Sequence, residues 1–154
     1  PFTTLYPALG VVAVDNFEFV LADVPGLIEG AHQGRGLGHR FLGHVERCEV
    51  LIHVVDGLQE DLFRAYRMVR EELLAYSPML SQKIEIVVLN KCDALEPDLM
   101  TDKCRTLSSL ISSPIRVISA ANGLGITDLL RDVHREVDSV RNSLQSLVKA
   151  SWHP

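Results

Sequence analysis

The chain has 154 residues, with 15 Lys plus Arg against 20 Asp plus Glu and a formal net charge of −5. Hydrophobic residues make up 47% and charged residues 23%, the makeup of one globular domain; this excludes a disordered or fibrous chain and argues against nucleic-acid binding by bulk charge alone. Cys48, Cys92 and Cys104 match neither a disulfide framework nor a zinc site and suit a reducing cytoplasm, and no apolar run approaches a membrane span.

In chain order, Gly10 to Val14 and Phe17 to Ala22 are β-branched or aromatic runs around the turn signal Asp15-Asn16, which predicts a hairpin. Gly26, Gly30, Gly34, Gly36 and Gly38 crowd a loop that opens with Pro25. A helix is expected from near Gly38 to about Arg47. The unbroken apolar run Val50 to Val55 reads as a strand buried on both faces. Leu62, Tyr66, Val69 and Leu73 fall at helical spacing within Asp61 to Tyr76. A second buried strand follows at Ile84 to Leu89. Pro97 opens a helix that runs to about Ser112, and a third strand lies within Pro114 to Ser119. The last helix starts after Gly125, with Thr127 or Asp128 near its cap, and carries Ile126, Leu129, Leu130, Val133, Val137, Val140, Leu144 and Leu147 on one stripe. Strand–helix alternation implies an α/β fold with a mostly parallel sheet, whose ligands sit at the carboxyl ends of the strands.

Three motifs stand at such ends. Asp23-Val24-Pro25-Gly26 follows the hairpin: the acid suits a magnesium ion held through water, and Gly26 frees a backbone N–H for a terminal phosphate. By itself the pattern is also an ordinary turn. Asn90-Lys91-Cys92-Asp93 ends the second buried strand. Asp93 suits the paired donors of guanine N1–H and its exocyclic amine, which adenine lacks; Lys91 suits stacking along a base, and Asn90 suits tying loops together. A polar strand-end loop is the plainer reading of that stretch. Ser119-Ala120 ends the third strand, where small residues let backbone N–H groups approach a base carbonyl. Thr3 and Thr4 offer hydroxyls suited to magnesium. His32, His39, His44 and His53 match no ligand spacing and read as solvated or packed.

These motifs, in this order, resemble the guanine-nucleotide-binding domain of the translation-factor class of P-loop GTPases. Pro1-Phe2-Thr3-Thr4-Leu5 with Leu9-Gly10-Val11-Val12 resembles the first switch of the Obg family. Asp23 to His32, Gly36-Leu37-Gly38-His39 and Phe41-Leu42 resemble its second switch and the helix after it. The likeness covers residues 1 to 140, with 141–154 expected as a helical extension or tail. It implies a slow GTP-hydrolysing switch with magnesium as cofactor, GTP and GDP as ligands, the large ribosomal subunit and its rRNA as partners, and a cytoplasmic location. It assigns Thr4 (with Thr3 as the alternative) and Asp23 to magnesium, and places Phe2, Thr3, Thr4, Leu5 and Tyr6 beside the nucleotide. Val24 and Pro25 lie in the same switch, and Gly26 donates to the γ-phosphate. Asn90, Lys91, Cys92 and Asp93 form the guanine-reading loop, which Ser119 and Ala120 complete. Leu27 stands where Ras-like enzymes orient water with Gln, so intrinsic hydrolysis is expected to be slow. Arg35, Arg40 and Arg47 suit either rRNA contact or a solvated face.

No Gly-x-x-x-x-Gly-Lys-Ser/Thr occurs in these residues. In the resembled family that loop precedes the first switch, and its strand lies between the hairpin strand and the strand ending at Asp56. The expectation is therefore a partial P-loop NTPase-type G domain, three-layered, without its first strand, phosphate loop and first helix. The sheet should show a gap there, and the stretch alone should bind nucleotide poorly. A nucleotide-independent interaction module is the alternative function; an ATP enzyme conflicts with Asp93.

Overall fold

The computed structural model describes residues 8–24 and 46–151. The expected helix from Gly38 lies almost wholly outside them, as do the switch residues Phe2 to Tyr6, Pro25 and Gly26.

The first two strands, β1 (Leu9–Val14) and β2 (Phe17–Ala22), pair antiparallel, with Val14 opposite Phe17 and Leu9 opposite Ala22. Asp15 turns the hairpin at a φ of 52°, a left-handed conformation that Asp tolerates better than most residues. Strand β3 (Val50–Asp56) begins a second, separate sheet. Helix α1 (Leu62–Tyr76) follows, and its first turn is capped by the Asp61 carboxylate accepting the Arg64 N–H at 3.0 Å. A one-turn helix α2 (Pro78–Ser81) leads into β4 (Ile84–Asn90). A 3-10 turn (Cys92–Ala94), helix α3 (Pro97–Ile111), β5 (Ile115–Val117) and helix α4 (Ile126–Ala150) complete the order. The three later strands are parallel, in the order β3-β4-β5. This is an α/β fold with a three-stranded parallel sheet plus an antiparallel hairpin, consistent with a partial P-loop GTPase G domain.

Two details depart from the sequence expectations. Helix α4 starts after Gly125, as the sequence reading has it, but Thr127 and Asp128 lie within its first turn and neither supplies the cap. Its cap is Gly125, at a φ of +77°, where an added Cβ would lie 2.7 Å from the Val117 carbonyl oxygen. Close approach of the backbone to β5 excludes a side chain there. Strand β3 is also not buried on both faces along its whole length: Val55 is buried, whereas Val54 is 52% exposed, although Ile52 on the same face packs against the core that α4 and the hairpin share. The one-turn helix α2 is too short to leave a periodic signal.

Two cores flank the parallel sheet. On one side Val88 and Ile118 meet Leu129 and Val133 of α4 together with Val14 and Phe19 of the hairpin. On the other, Val55, Val87 and Leu89 meet Leu62 of α1 and Met100 and Leu107 of α3. Val87, Val88, Leu89 and Leu107 are essentially inaccessible, so β4 is the strand around which both layers close. No ladder joins β2 to β3 among the described residues. The hairpin instead lies with Val12, Val14 and Phe19 toward α4 and leaves Leu9, Val11 and Val20 exposed.

Candidate functional site

The carboxyl ends of β4 and β5 are built from the interior outward. Strand β5 is short, but its pairing continues: the Ile118 N–H donates to the Leu89 carbonyl at 2.9 Å and the Cys92 N–H to the Ile118 carbonyl at 3.1 Å. These bonds bring the loop after β4 and the loop after β5 side by side. Ser119 is fully buried, and its N–H donates to the Leu124 carbonyl at 2.9 Å, closing the second loop. A buried hydroxyl needs partners. Ser119 Oγ donates to Asp93 Oδ1 at 2.8 Å and accepts the Asn122 N–H at 3.2 Å. Asn90 Oδ1 accepts the Ala120 N–H at 3.0 Å, so Asn90 ties the two loops together.

Asn90, Asp93, Ser119 and Ala120 therefore form one connected cluster. Asp93 and Ala120 are exposed at its rim, with Cys92 half-buried between loop and core. A carboxylate held from one side by Ser119 keeps acceptor capacity toward solvent, which is the chemistry that paired N–H donors of a flat base require. Lys91 adopts a left-handed φ of 70° and extends the other way, its Nζ 2.8 Å from Asp56 Oδ2. That hydrogen bond, reinforced by the Leu58 N–H, holds the Asp56 carboxyl below its ordinary value.

Asp56, Gly57 and Lys103 were not among the residues singled out from the sequence. Asp56 pairs with Asn90 in the β3–β4 register, and the Gly57 N–H donates to the Asn90 carbonyl at 3.0 Å. A Cβ on Gly57 would stand 2.6 Å from that same oxygen, so only glycine allows the approach. Lys103 Nζ donates to the carbonyls of Gly57 at 2.8 Å and Gln59 at 3.1 Å, fastening the turn to α3. The available signal was Asp-Gly at the end of a buried strand, the same strand-end logic that drew attention to Asp23.

Asp23 stands apart from this cluster. Its N–H donates to the Ala8 carbonyl at 2.9 Å, and its neighbour Val24 packs with Leu51, Leu73, Tyr76 and Leu80. Leu51 lies near the amino end of β3, whereas the Asn90–Asp93 and Ser119–Ala120 loops lie at the carboxyl ends of β4 and β5. The opposite tip of the hairpin faces the first turns of α4: Arg131 Nε and Nη2 donate to the two Asp15 oxygens at 3.1 Å each, and Phe17 stacks on His134 at 3.9 Å. Asp23 offers a hard oxygen donor, and magnesium takes only one or two protein carboxylates when phosphates supply other ligands. Among the described residues no group of three His, Cys, Asp or Glu is placed to hold a metal.

His53 is buried on β3, stacked on Tyr66 at 4.9 Å, with Nδ1 3.7 Å from Glu85 Oε2. It is a packed histidine of the interior. No disulfide joins Cys48, Cys92 and Cys104, and burial pushes the thiols of Cys48 and Cys104 up. No helix among the described residues is long and apolar enough to cross a membrane.

Among solved structures, the chain is similar to the crystal structure of a candidate nucleolar GTP-binding protein 1 from Plasmodium falciparum. The TM-score is 0.58 at 14% identity, covering 93% of this chain and 76% of that one, a likeness of fold. A family model described as 50S ribosome-binding GTPase matches residues 1–91, the stretch that includes the hairpin, β3 and β4 and ends at Lys91. With more than half its length matched in this way, the chain belongs to the family of 50S ribosome-binding GTPases.

Proposed function

We propose that this chain is the base-reading and switch portion of a slow GTPase of the Obg type, acting with magnesium in the cytoplasm on assembly of the large ribosomal subunit. Family membership supports binding and hydrolysis of GTP. The observation that carries the guanine half of the reading is the single cluster of Asn90, Asp93, Ser119 and Ala120 at the carboxyl ends of β4 and β5. In this reading Asp93 accepts the guanine N1–H and amine, and adenine leaves that carboxylate without partners. The Lys91 stem lies along the base, and the Ala120 backbone, tied to Asn90, closes the pocket around Cys92.

The phosphate half rests on the sequence likeness. Thr4 (or Thr3) and Asp23 would hold magnesium, which neutralises the charge of the phosphates when bound. Phe2, Leu5 and Tyr6 would pass beside the nucleotide, Val24 and Pro25 would carry the switch, and Gly26 would donate its N–H to the γ-phosphate. That role requires Asp23 at the carboxyl ends of the parallel strands, a different seat from the one beside Leu51. The loop that cradles the α- and β-phosphates is, in this reading, contributed from outside these residues. The end of α4, from residue 141 to residue 150, is in this reading the extension beyond the G domain, and rRNA is the ribosomal partner contacted.

The test is a titration of the full-length protein with fluorescent GDP and magnesium, with ATP as competitor. Saturable binding that unlabelled GDP displaces and ATP does not is the expected result. Equal displacement by ATP contradicts the reading. The seat of Asp23, away from the base-reading loops, favours a second reading, a partner-binding module that needs no nucleotide; absence of GDP binding is its signature.

A further inference from the structure

Lys91 and Asp93 are opposite charges two residues apart at the mouth of one site, both exposed. A lysine ammonium on its flexible four-carbon stem is free to fold onto a nearby carboxylate unless something holds it elsewhere. In this structure each has a separate anchor, and the anchors lie on opposite sides of β4. Asp56, at the end of β3, takes Lys91 Nζ at 2.8 Å. Ser119, beyond the end of β5, donates to Asp93 at 2.8 Å. The strand order β3-β4-β5 therefore pulls the cation one way and the anion the other. Among the described residues no cation pairs with Asp93.

The Asp56 anchor is itself fixed. Its Oδ1 accepts the Leu58 N–H at 2.9 Å, and the turn that follows is bound to the Asn90 carbonyl through Gly57 and to α3 through Lys103. An ion pair this open to solvent contributes little to folding. Its value lies in where it leaves the two charges.

We infer that Asp56 is a positioning residue: it holds Lys91 toward β3 and so keeps the Asp93 carboxylate free of an internal cation. This inference rests on the guanine reading above. Without Asp56, Lys91 turns onto Asp93, occupies the acceptor that would read the 2-amino group, and blunts discrimination for guanine. The bound chemistry is a guanine base presented edge-on to Asp93, and Asp56 tunes specificity without touching it.

The experiment measures affinities of the full-length protein for GDP and for IDP, whose base lacks the 2-amino group. The parent is compared with Asp56→Asn, Asp56→Glu, Lys91→Met and the double variant Asp56→Asn/Lys91→Met, and thermal melting is recorded for each. Asp56→Asn is expected to lower GDP affinity by about three- to fivefold, to shrink the GDP-over-IDP preference by a similar factor, and to melt like the parent. Asp56→Glu should restore the preference. The double variant should restore it too, because it removes the competing cation while Met keeps an unbranched apolar stem. An unchanged preference in Asp56→Asn overturns the inference, as does a preference equally lost in the double variant. A parent that binds GDP and IDP alike overturns the guanine reading itself, and this inference with it.

Discussion

Around the ends of β4 and β5, polar side chains are bound across element boundaries: Asn90 to Ala120, Asp93 to Ser119, Lys91 to Asp56, and Lys103 to the turn after β3. The hairpin engages the rest of the molecule differently. One of its faces packs on α4, its tip is held by the exposed Asp15–Arg131 pair and the Phe17–His134 stack, and its other face leaves Leu9, Val11 and Val20 exposed. Both regions carry motifs of one expected site. The difference shows that the loops after β4 and β5 are assembled by the parallel sheet, from strands that pair with one another. The position of Asp23, which the sequence likeness assigns to magnesium, depends on where the hairpin docks, and nothing in the ladder of β3 to β5 dictates that position.

The sharpest way to break this comparison is to attack each core. Leu107→Ala removes an inaccessible side chain packed beneath β4 and should cost about 2–5 kcal/mol in denaturant unfolding. Val11→Ser on the outer hairpin face should change stability by no more than about 0.5 kcal/mol. Equal losses at the two positions would mean that the hairpin is as integral as the parallel sheet.

Gly125→Ala comes next in size. The left-handed backbone and the 2.7 Å approach to the Val117 carbonyl both oppose a Cβ, at a cost of about 1–3 kcal/mol. Because Gly125 closes the loop that begins at Ser119, the variant should also weaken GDP binding. Unchanged melting would show that the loop can shift without penalty.

A smaller effect comes from the interior of the parallel region. Arg70 binds the Glu85 carboxylate at 2.7 Å and the Ser81 carbonyl at 2.8 Å, with His53 beside Glu85. Burial pushes the Glu85 carboxyl up, but His53 and Arg70 together outweigh it and hold the group below its ordinary value. A carboxyl depressed in the folded state contributes stability that is present above its unfolded pKa, about 4.3, and is lost as pH falls through the lower folded value. The parent should therefore lose stability below about pH 4 more steeply than Glu85→Gln does. Parallel acid limbs for the two proteins would remove Glu85 from that account.

The smallest expected effect is at the hairpin tip. Asp15→Asn breaks an exposed pair whose attraction salt already screens, so melting in 0.5 M salt should match the parent. A clear loss there would mean that the Arg131 contact, rather than the Val14–Phe19 face, holds the hairpin on α4.

Much of the fold was legible because its signals are local. The run Phe17 to Ala22 became β2 without change, the helical spacing within Asp61 to Tyr76 became α1, and Pro97 opened α3. The Asn90, Asp93 and Ser119 cluster was legible from motif spacing because each motif follows a strand and the strands are parallel neighbours. What stayed hidden depends on pairing between distant segments. The exposure of Val54 reflects which face a neighbouring element covers, and no single run carries that information. Asp56 and Lys103 join the base-reading end through contacts 35 and 46 residues apart, which no local pattern announces. The helix start after Gly125 was legible, but the close approach to the Val117 carbonyl that excludes a side chain there was not. The seat of Asp23 is likewise a docking outcome, which a strand-end motif does not specify.

The most direct test of the central claim exchanges the acceptor at Asp93. Guanine presents an amine where xanthine presents a carbonyl, and Asp93→Asn replaces an acceptor-only carboxylate with a group that can donate. Affinities of GDP and XDP should be measured for the full-length parent and for Asp93→Asn. The account predicts that the parent prefers GDP by tenfold or more, on the order of a hydrogen bond to a charged group, and that the variant reverses the preference. A parent indifferent to the two bases, or a variant that keeps the parental order, would contradict the claim that the ends of β4 and β5 read guanine.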